Sequence, residues 1–165
     1  MQLIEGKKLS EKLLTDLKVK LSAFSEKPKL AIIQIGDEKL SNVYVSIKEK
    51  TGKEIGINID KYKYKTGDFS FVSSKILELN NDKSVHGIIL QLPTPGNEIR
   101  PLLDLVSPLK DVDGLTSSNL GKIWHNETQE FLGATPKAIM FVLNHIAENT
   151  NISLREFLTG KNVLI

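Results

Sequence analysis

Two nearly continuous apolar runs of strand length constrain the fold of this chain more than any other feature. LAIIQI occupies residues 30–35, and the longer run VHGIILQL occupies residues 85–92. A strand with one wet face alternates apolar and polar residues, whereas a strand covered on both faces is apolar throughout. Both runs therefore predict central strands of a parallel sheet that has helices on each side.

The segments around these runs have helical periodicity. Leucines spaced three and four residues apart predict an amphipathic helix over 8–24. A second helix is expected over about 40–55, ending at Gly56. A third is expected to start at Asp68, a plausible N-cap residue, and to run through Leu79.

The remaining elements complete the prediction of the fold class. INIDKYKY (57–64) alternates lysine and tyrosine, which suits an edge strand. A short helix is expected around 98–106, then an irregular loop over 107–120, then a helix with Thr135 as N-cap and Pro136 in its first turn. This alternation predicts an α/β fold: a three-layer helix–sheet–helix arrangement with a mostly parallel sheet.

Composition excludes several classes of protein. The 165 residues include 22 basic and 20 acidic side chains, a net charge of +2, which gives no reason to expect nucleic acid or an anionic membrane as partner. The chain has no cysteine, so a disulfide framework or a zinc–thiolate site is impossible. No segment has the roughly 18 apolar residues of a membrane span, and no signal-peptide core is visible. We expect a cytoplasmic protein without a metal site.

The carboxyl-terminal segment LREFLTGKNVLI predicts a surface helix, a glycine turn and the start of another apolar strand. We therefore expect one domain over 1–150, followed over 151–165 by a linker and the first strand of a second domain. Apolar surface is expected to be exposed in this segment, around Leu154, Leu158 and Val163 to Ile165, where a second domain would pack.

Ser41, Tyr44 and Lys48 are spaced three and four residues apart, so they share one face of the second predicted helix. An aromatic ring one turn before a lysine can position the amine and shield it from water, which suits the amine to proton transfer. The simpler interpretation is an amphipathic helix with one solvated lysine among several, since Lys50 and Lys53 follow closely.

Gln91 follows the second apolar run and precedes Leu92 and Pro93. Its amide would lie at the carboxyl end of a parallel strand, where ligands bind in sheets of this kind, and it can both donate and accept a hydrogen bond. A strand-ending turn with an incidental glutamine is the alternative.

Asp111 and Asp113 flank a valine in PLKDVDGL, within the long predicted loop. A loop carboxylate can accept paired N–H donors from a heterocycle such as an aminopyrimidinone. The D-x-D-G string also resembles part of a calcium loop, but the remaining ligands and the closing glutamate are not at the required spacing.

The histidines and the lysine–tyrosine alternation offer less. His86, His125 and His145 are scattered without a partner at metal-ligand spacing, and His86 is expected in the core because it belongs to an apolar run. The alternation at 61–65 suits a stacking platform for single-stranded nucleic acid, but the near-neutral charge of the chain argues against that function.

Taken in order, these segments resemble the amino-terminal domain of the bifunctional methylenetetrahydrofolate dehydrogenase/methenyltetrahydrofolate cyclohydrolase family. The motifs are S-N-x-Y-V-x-x-K, V-x-G-I-I-L-Q-L-P, P-x-K-D-V-D-G-L and T-P-K-x-x-x-x-x-L. The resemblance implies that the complete enzyme oxidises 5,10-methylenetetrahydrofolate with NADP and hydrolyses the methenyl product to 10-formyltetrahydrofolate. It also implies a homodimer that binds tetrahydrofolate derivatives and acts in the one-carbon metabolism that supplies purine biosynthesis.

The resemblance further implies roles for individual residues. Lys48 would handle protons in the cyclohydrolase step and orient the substrate, and Tyr44 would stack near the folate ring. Gln91 would hydrogen-bond the lysine, and Asp113 would grip the pterin. The rest of the substrate pocket would be shaped by a further set: Ser41, Leu92, Pro93, Asp111 and Thr135.

The chain departs from the family pattern in two ways. Gly133 and Ala134 stand before Thr135 where the family usually has a Pro-Cys pair. No G-x-G-x-x-G is present, so NADP or NAD is expected to bind a Rossmann domain that is missing after residue 165. A folate-binding module without turnover and an unrelated α/β binding domain are the alternatives.

Overall fold

The computed structural model describes residues 3–95, 99–125 and 132–162. Its helices and strands in chain order are α1 Gly6–Ser22, β1 Lys29–Ile35, α2 Lys39–Ile55, β2 Asn58–Tyr64, α3 Phe69–Asn81, β3 Gly87–Leu90, α4 Ile99–Leu105, α5 Ser117–Trp124, α6 Ala134–Asn149 and α7 Leu154–Leu158. The three strands form a parallel sheet in the order β2-β1-β3. The predicted edge position of the lysine–tyrosine strand is confirmed.

The central strand β1 is covered on both faces, which explains its nearly continuous apolar sequence. Side chains alternate along a strand, so Ile33 packs with α3 and α4 while Ile32 packs with Val45 of α2. The larger cluster includes these buried helix residues: Val72, Ile76, Leu79, Leu102 and Leu103. Burial of each large aliphatic side chain contributes about 1.5–3 kcal/mol. The predicted α/β class, with helices on both faces of a parallel sheet, is confirmed.

Gly56 ends α2 in a left-handed conformation, with φ at 99°. Glycine takes this conformation without the steric penalty of a Cβ atom, which is why helices often stop at one. The following N–H, of Ile57, donates to the carbonyl of Gly52 at 2.8 Å. The predicted end of the second helix is therefore confirmed.

Two predicted helix caps are wrong in detail. Asp68 precedes α3, but its carboxylate accepts from the N–H of Lys65 at 3.0 Å and makes no cap bond. Thr135 is not an N-cap, because α6 begins at Ala134 after an extended Gly133. Pro136 still lies in the first turn, where its missing N–H has no helical partner to lose.

The prediction of an irregular loop over 107–120 is wrong in its second half. Helix α5 begins at Ser117, and the side chain of Thr116 accepts from the N–H of Asn119 at 3.2 Å. A threonine N-cap followed by polar residues explains this start better than apolar periodicity does. The long connection is therefore shorter and better anchored than expected.

The prediction that His86 belongs to the core is also wrong. β3 begins one residue later, and His86 is exposed, with Nδ1 accepting from the backbone N–H of Lys29 at 3.1 Å. Leu154 and Leu158 are half-buried rather than exposed. The strand expected at 163–165 lies outside the described residues.

Among the exposed apolar side chains, one set lies on α2 at spacings of three and four residues. They are Leu40 (62% exposed), Val43 (53%), Tyr44 (51%) and Ile47 (53%). Within the described ranges, no helix combines the length and the apolar character that crossing a membrane requires.

Candidate functional site

A cleft of about 480 Å³ opens at the carboxyl end of β3, between α2, the segment that follows Asp111 and the start of α6. Predicted site residues from four separate parts of the chain meet there. The described residues that line it are Tyr44, Lys48, Gln91, Leu92, Asp113, Leu115, Gly133, Ala134, Thr135 and Pro136. The cleft thus joins a helix face, a strand end, a turn and a helix start.

Lys48 and Asp113 form an ion pair across this cleft. Lys48 Nζ lies 3.4 Å from Asp113 Oδ2, and the side chains are 31% and 23% exposed. A pair of this length and exposure contributes about 0.2–1 kcal/mol, so it is easily exchanged for other partners. The cleft therefore holds an amine that can carry a proton, on Lys48, next to a carboxylate that can accept hydrogen bonds, on Asp113.

Gln91 is buried, with 5% of its surface exposed, and its backbone N–H extends the pairing with β1 by donating to Ile33. Its side-chain Nε2 donates to the carbonyl of Leu92. Its Oε1 has no hydrogen-bond partner among the described residues. A buried acceptor left unpaired costs about 1–3 kcal/mol, so this atom is suited to a bond from a ligand or from a rearranged side chain.

The hydrogen bond expected between Gln91 and Lys48 is absent from this structure, in which Lys48 bonds Asp113. Both side chains nevertheless line the same cleft. The geometry therefore brings the two groups together without joining them.

Asp111 lies behind the cleft rather than in it. The carboxylate is buried and accepts from the N–H groups of Leu115 (3.2 Å) and Thr116 (2.9 Å) and from Asn119 Nδ2 (3.0 Å). The structure therefore does not support the predicted contact with substrate. Since it ties the turn to α5, Asp111 fixes the segment from which Asp113 projects.

Helix α5 is itself held by a carboxylate of α4. Asp104 accepts from the backbone N–H of Ser117 at 2.6 Å and from its hydroxyl at 2.8 Å. The N–H bond lowers the pKa of Asp104 below its ordinary range, against the opposing effect of burial, and the hydroxyl and the nearby Arg100 add to the lowering. This anchor supports α5 and, through Asn119, the turn that carries Asp113.

Ser41 and Pro93 also act from behind the cleft. Ser41 is fully buried, and its Oγ donates to the carbonyl of Pro93 at 2.6 Å. This bond joins α2 to the turn that follows Gln91, so it fixes Lys48 and Tyr44 relative to the strand end. The predicted roles of Ser41 and Pro93 in shaping the pocket agree with this arrangement, although neither lines it.

A second cleft, of about 510 Å³, lies between α2 and β2. Its polar groups bond one another: Gln34 Nε2 donates to Asn42 Oδ1 at 2.7 Å, and Lys63 pairs with Asp37. The cleft at the end of β3 is the better candidate because it holds the buried, unpartnered oxygen of Gln91.

Sequence reasoning missed Leu115 in the cleft wall, and Thr116 and Asn119 in its support. The T-S-S-N string is the signal that would have placed a helix start at Thr116. No group of three or more histidines, aspartates or glutamates suited to a metal ion occurs in the part of the chain that the structure describes.

The parallel α/β domain and its cleft match one class of protein. The family model described as tetrahydrofolate dehydrogenase/cyclohydrolase, catalytic domain, matches residues 4–113, a range that includes Tyr44, Lys48, Gln91 and Asp113. The chain belongs to this family, as the sequence motifs predict.

Individual relatives agree. The bifunctional protein FolD of Prochlorococcus marinus is 40% identical over 172 residues, covering 99% of this chain and 53% of that protein. The protein of the same name from Caldanaerobacter subterraneus is 32% identical over 164 residues, covering 99% and 55%. The crystal structure of the FolD methylenetetrahydrofolate dehydrogenase/cyclohydrolase of Campylobacter jejuni superposes with a TM-score of 0.81 at 34% identity, covering 88% of this chain and 54% of that one. The chain thus spans about half the length of the relatives it matches.

Proposed function

We propose that this chain is the substrate-binding catalytic domain of an enzyme that oxidises 5,10-methylenetetrahydrofolate and hydrolyses 5,10-methenyltetrahydrofolate to 10-formyltetrahydrofolate. The observation that carries the proposal is the meeting of Tyr44, Lys48, Gln91 and Asp113 at one cleft, in a chain of this family. These residues come from parts of the chain up to 69 positions apart (113 − 44).

The hydrolytic step needs a group that can take and return a proton. Water adds to the methenyl carbon and loses a proton, and the bond from that carbon to one ring nitrogen then breaks. That nitrogen keeps the bonding electron pair and takes up a proton, while the added hydroxyl loses its proton and becomes the carbonyl of the formyl group on the other nitrogen. One proton is released overall. Lys48 is the cleft residue suited to this transfer, since a free amine accepts a proton and an ammonium donates one.

The other cleft residues bind and orient the ring. Asp113 accepts from the paired N–H donors of the pterin, and the half-exposed ring of Tyr44 offers a stacking surface. Thr135 and Leu92 also line the cleft. The remaining polar side chain of the cleft, Gln91, has an amide oxygen that can accept a hydrogen bond from Lys48.

The nucleotide does not fit the residues at hand. The sequence has no glycine-rich phosphate turn, and Lys48 is the only basic side chain among the described residues that line the cleft. We therefore propose that NADP or NAD is held by residues outside this chain, with 1–150 as the folate domain and 151–165 leading into the nucleotide domain.

Three further features belong to the same proposal: a cytoplasmic location, a homodimer and a contribution to purine biosynthesis. The exposed apolar side chains of α2 support association with another surface. Analytical ultracentrifugation of the chain tests the homodimer, and a single species with the mass of a monomer would contradict it.

The enzymatic proposal is tested by the loss of methenyl absorbance when the chain is mixed with 5,10-methenyltetrahydrofolate. Lys48→Met is expected to keep the fold and to slow hydrolysis by about 10²–10⁴, as removal of a general acid–base group does. Lys50→Met is the matched control, because Lys50 is an exposed lysine of the same helix. Folate binding without hydrolysis by the unmodified chain would support a binding module instead, and equal rates in both variants would remove Lys48 from its role.

A further inference from the structure

Lys48 and Asp113 hold each other in the free chain, although each has a separate task in the proposed reaction. Asp113 Oδ2 lies 3.4 Å from Lys48 Nζ. A carboxylate that grips an aminopyrimidinone uses its oxygens to accept two parallel N–H donors. The ring and the lysine therefore compete for the same carboxylate.

The same cleft contains a second hydrogen-bond acceptor, the side-chain oxygen of Gln91. Gln91 is 95% buried, and its Oε1 has no partner among the described residues, while its Nε2 is fixed by the carbonyl of Leu92. Lys48 is only 31% exposed, so an ammonium that loses its carboxylate partner in this cleft regains part of the lost interaction by donating to another oxygen. Gln91 Oε1 is the buried oxygen of the cleft that is free to accept it.

We infer that the substrate itself switches the site on: the pterin ring displaces Lys48 from Asp113, and the released lysine passes to Gln91. This inference rests on the proposed function and adds an order of events to it. In the free chain the lysine is held by Asp113, away from its working partner. Binding of a ring with the right pair of N–H donors assembles the lysine–glutamine pair.

The inference predicts that removing the catalytic lysine strengthens binding of the ring. Lys48→Met frees Asp113, so the affinity for a neutral aminopyrimidinone is expected to rise about 2- to 5-fold, the range set by a partly exposed ion pair. The probe is 6-methylpterin, which is uncharged, so that attraction between its charge and Lys48 does not enter. Binding is measured by quenching of pterin fluorescence.

Two variants serve as controls. Lys50→Met removes an exposed lysine two residues further along α2, on the other side of the helix, and is expected to leave the affinity unchanged. Asp113→Asn removes the shared carboxylate and is expected to weaken binding at least 10-fold, whether or not Lys48 is present. Circular dichroism of each variant confirms that it is folded.

Ionic strength gives a readout that needs no variant. Salt screens the partly exposed ion pair, so added sodium chloride is expected to tighten binding of the neutral pterin to the unmodified chain. In Lys48→Met there is no pair to screen, and the salt dependence is expected to disappear.

A double-mutant cycle tests whether Lys48 bonds to Gln91 once the pterin is bound. Gln91→Leu removes the oxygen that takes the lysine, so it is expected to weaken pterin binding in the unmodified chain and to have no further effect beside Lys48→Met. The same loss in both backgrounds would overturn the transfer to Gln91.

The outcomes separate this inference from the proposed function. Weaker or unchanged binding by Lys48→Met, alongside loss of binding by Asp113→Asn, would overturn the switch and leave the folate site intact. An equal gain in Lys50→Met would also overturn it, because the effect would then be one of general charge. No pterin binding by any form of the chain would reject the proposed function itself.

Discussion

Asp111 and Asp113 stand two positions apart and take different tasks. Asp111 is 4% exposed and satisfied by backbone and amide donors, whereas Asp113 faces the cleft and meets Lys48. The family resemblance implies that both contact substrate, and the D-x-D string alone does not tell them apart. Only the hydrogen bonds from Thr116 and Asn119, which depend on the folded position of α5, assign one carboxylate to the fold and the other to the site.

Unfolding measurements should separate the two carboxylates. Asp111→Ala leaves two backbone N–H groups and the amide of Asn119 without their acceptor, so the free energy of unfolding should fall by about 3 kcal/mol or more. Asp113→Ala removes one partly exposed ion pair and should lower it by less than about 1 kcal/mol. Urea denaturation checks both values, and equal losses would contradict the distinction.

Spacing on a helix and the position of a strand end place part of the site directly from the sequence, whereas Asp113 was singled out through the family resemblance. Lys48 and Tyr44 share a helix face by their spacing, and Gln91 follows a strand whose end is visible in the sequence. Ser41 lies on the same helix, but its buried bond to Pro93 links parts of the chain 52 residues apart. Spacing carries no information about a contact of that kind.

At the scale of elements, apolar periodicity does not predict α5, because this helix buries no stripe of apolar side chains. It begins with Thr116 as N-cap, and Leu120 and Trp124 on its surface are 42% and 88% exposed. Periodicity detects helices that bury one face, and this helix is fixed mainly by hydrogen bonds at its start. The strands could be predicted because the covered ones have nearly continuous apolar sequences and the edge strand alternates lysine and tyrosine.

The anchor of α5 should make stability depend on pH. The pKa of Asp104 is lowered in the folded chain, so its contribution is present above the ordinary aspartate value of about 3.9 and is lost as pH falls through the lower folded value. Asp104→Asn should therefore lower Tm at pH 7, and the difference from the unmodified chain should shrink below about pH 4. Asp16→Asn, at an exposed position of α1, is the control. A difference that stays constant over this range would contradict the role of the charge.

The contact between β3 and the segment that carries Asp113 should also be testable. A Cβ atom on Gly87 would lie 2.7 Å from Val112 Cγ1, so Gly87→Ala pushes on the residue between the two aspartates. We expect a loss of about 1–3 kcal/mol in stability, the range for overpacking, together with weaker folate binding. Adding Val112→Ala should restore most of both losses, since it removes the nearest atom and leaves only the end of Leu30, whose Cδ1 lies 3.1 Å from the added Cβ atom. If Gly87→Ala alone kept full affinity for folate, the close contact between Gly87 and Val112 would not be what positions Asp113.

At the scale of the whole molecule, the sequence predicts the layered parallel sheet and the family, while the wall of the cleft depends on the fold. Gly133 and Ala134, which replace the usual Pro-Cys pair, begin α6 and line the cleft beside Thr135. Their contribution follows from where α6 starts, one residue before the predicted cap. The hydrophobic pattern predicts which helices and strands form. Which side chains line the cleft depends on the exact residue at which α6 begins, and the pattern does not give that residue.

The central claim is that the cleft at the end of β3 binds folate through Asp113, and isothermal titration calorimetry of the 165-residue chain tests it most directly. The unmodified chain and the Asp16→Asn control should bind folic acid with the same Kd. Asp113→Asn should bind at least 10-fold more weakly, because the carboxylate that accepts the paired N–H donors is gone. NADP should give no heat with any of the three. Equal folate affinity in Asp113→Asn, or heat from NADP without heat from folate, would contradict the account.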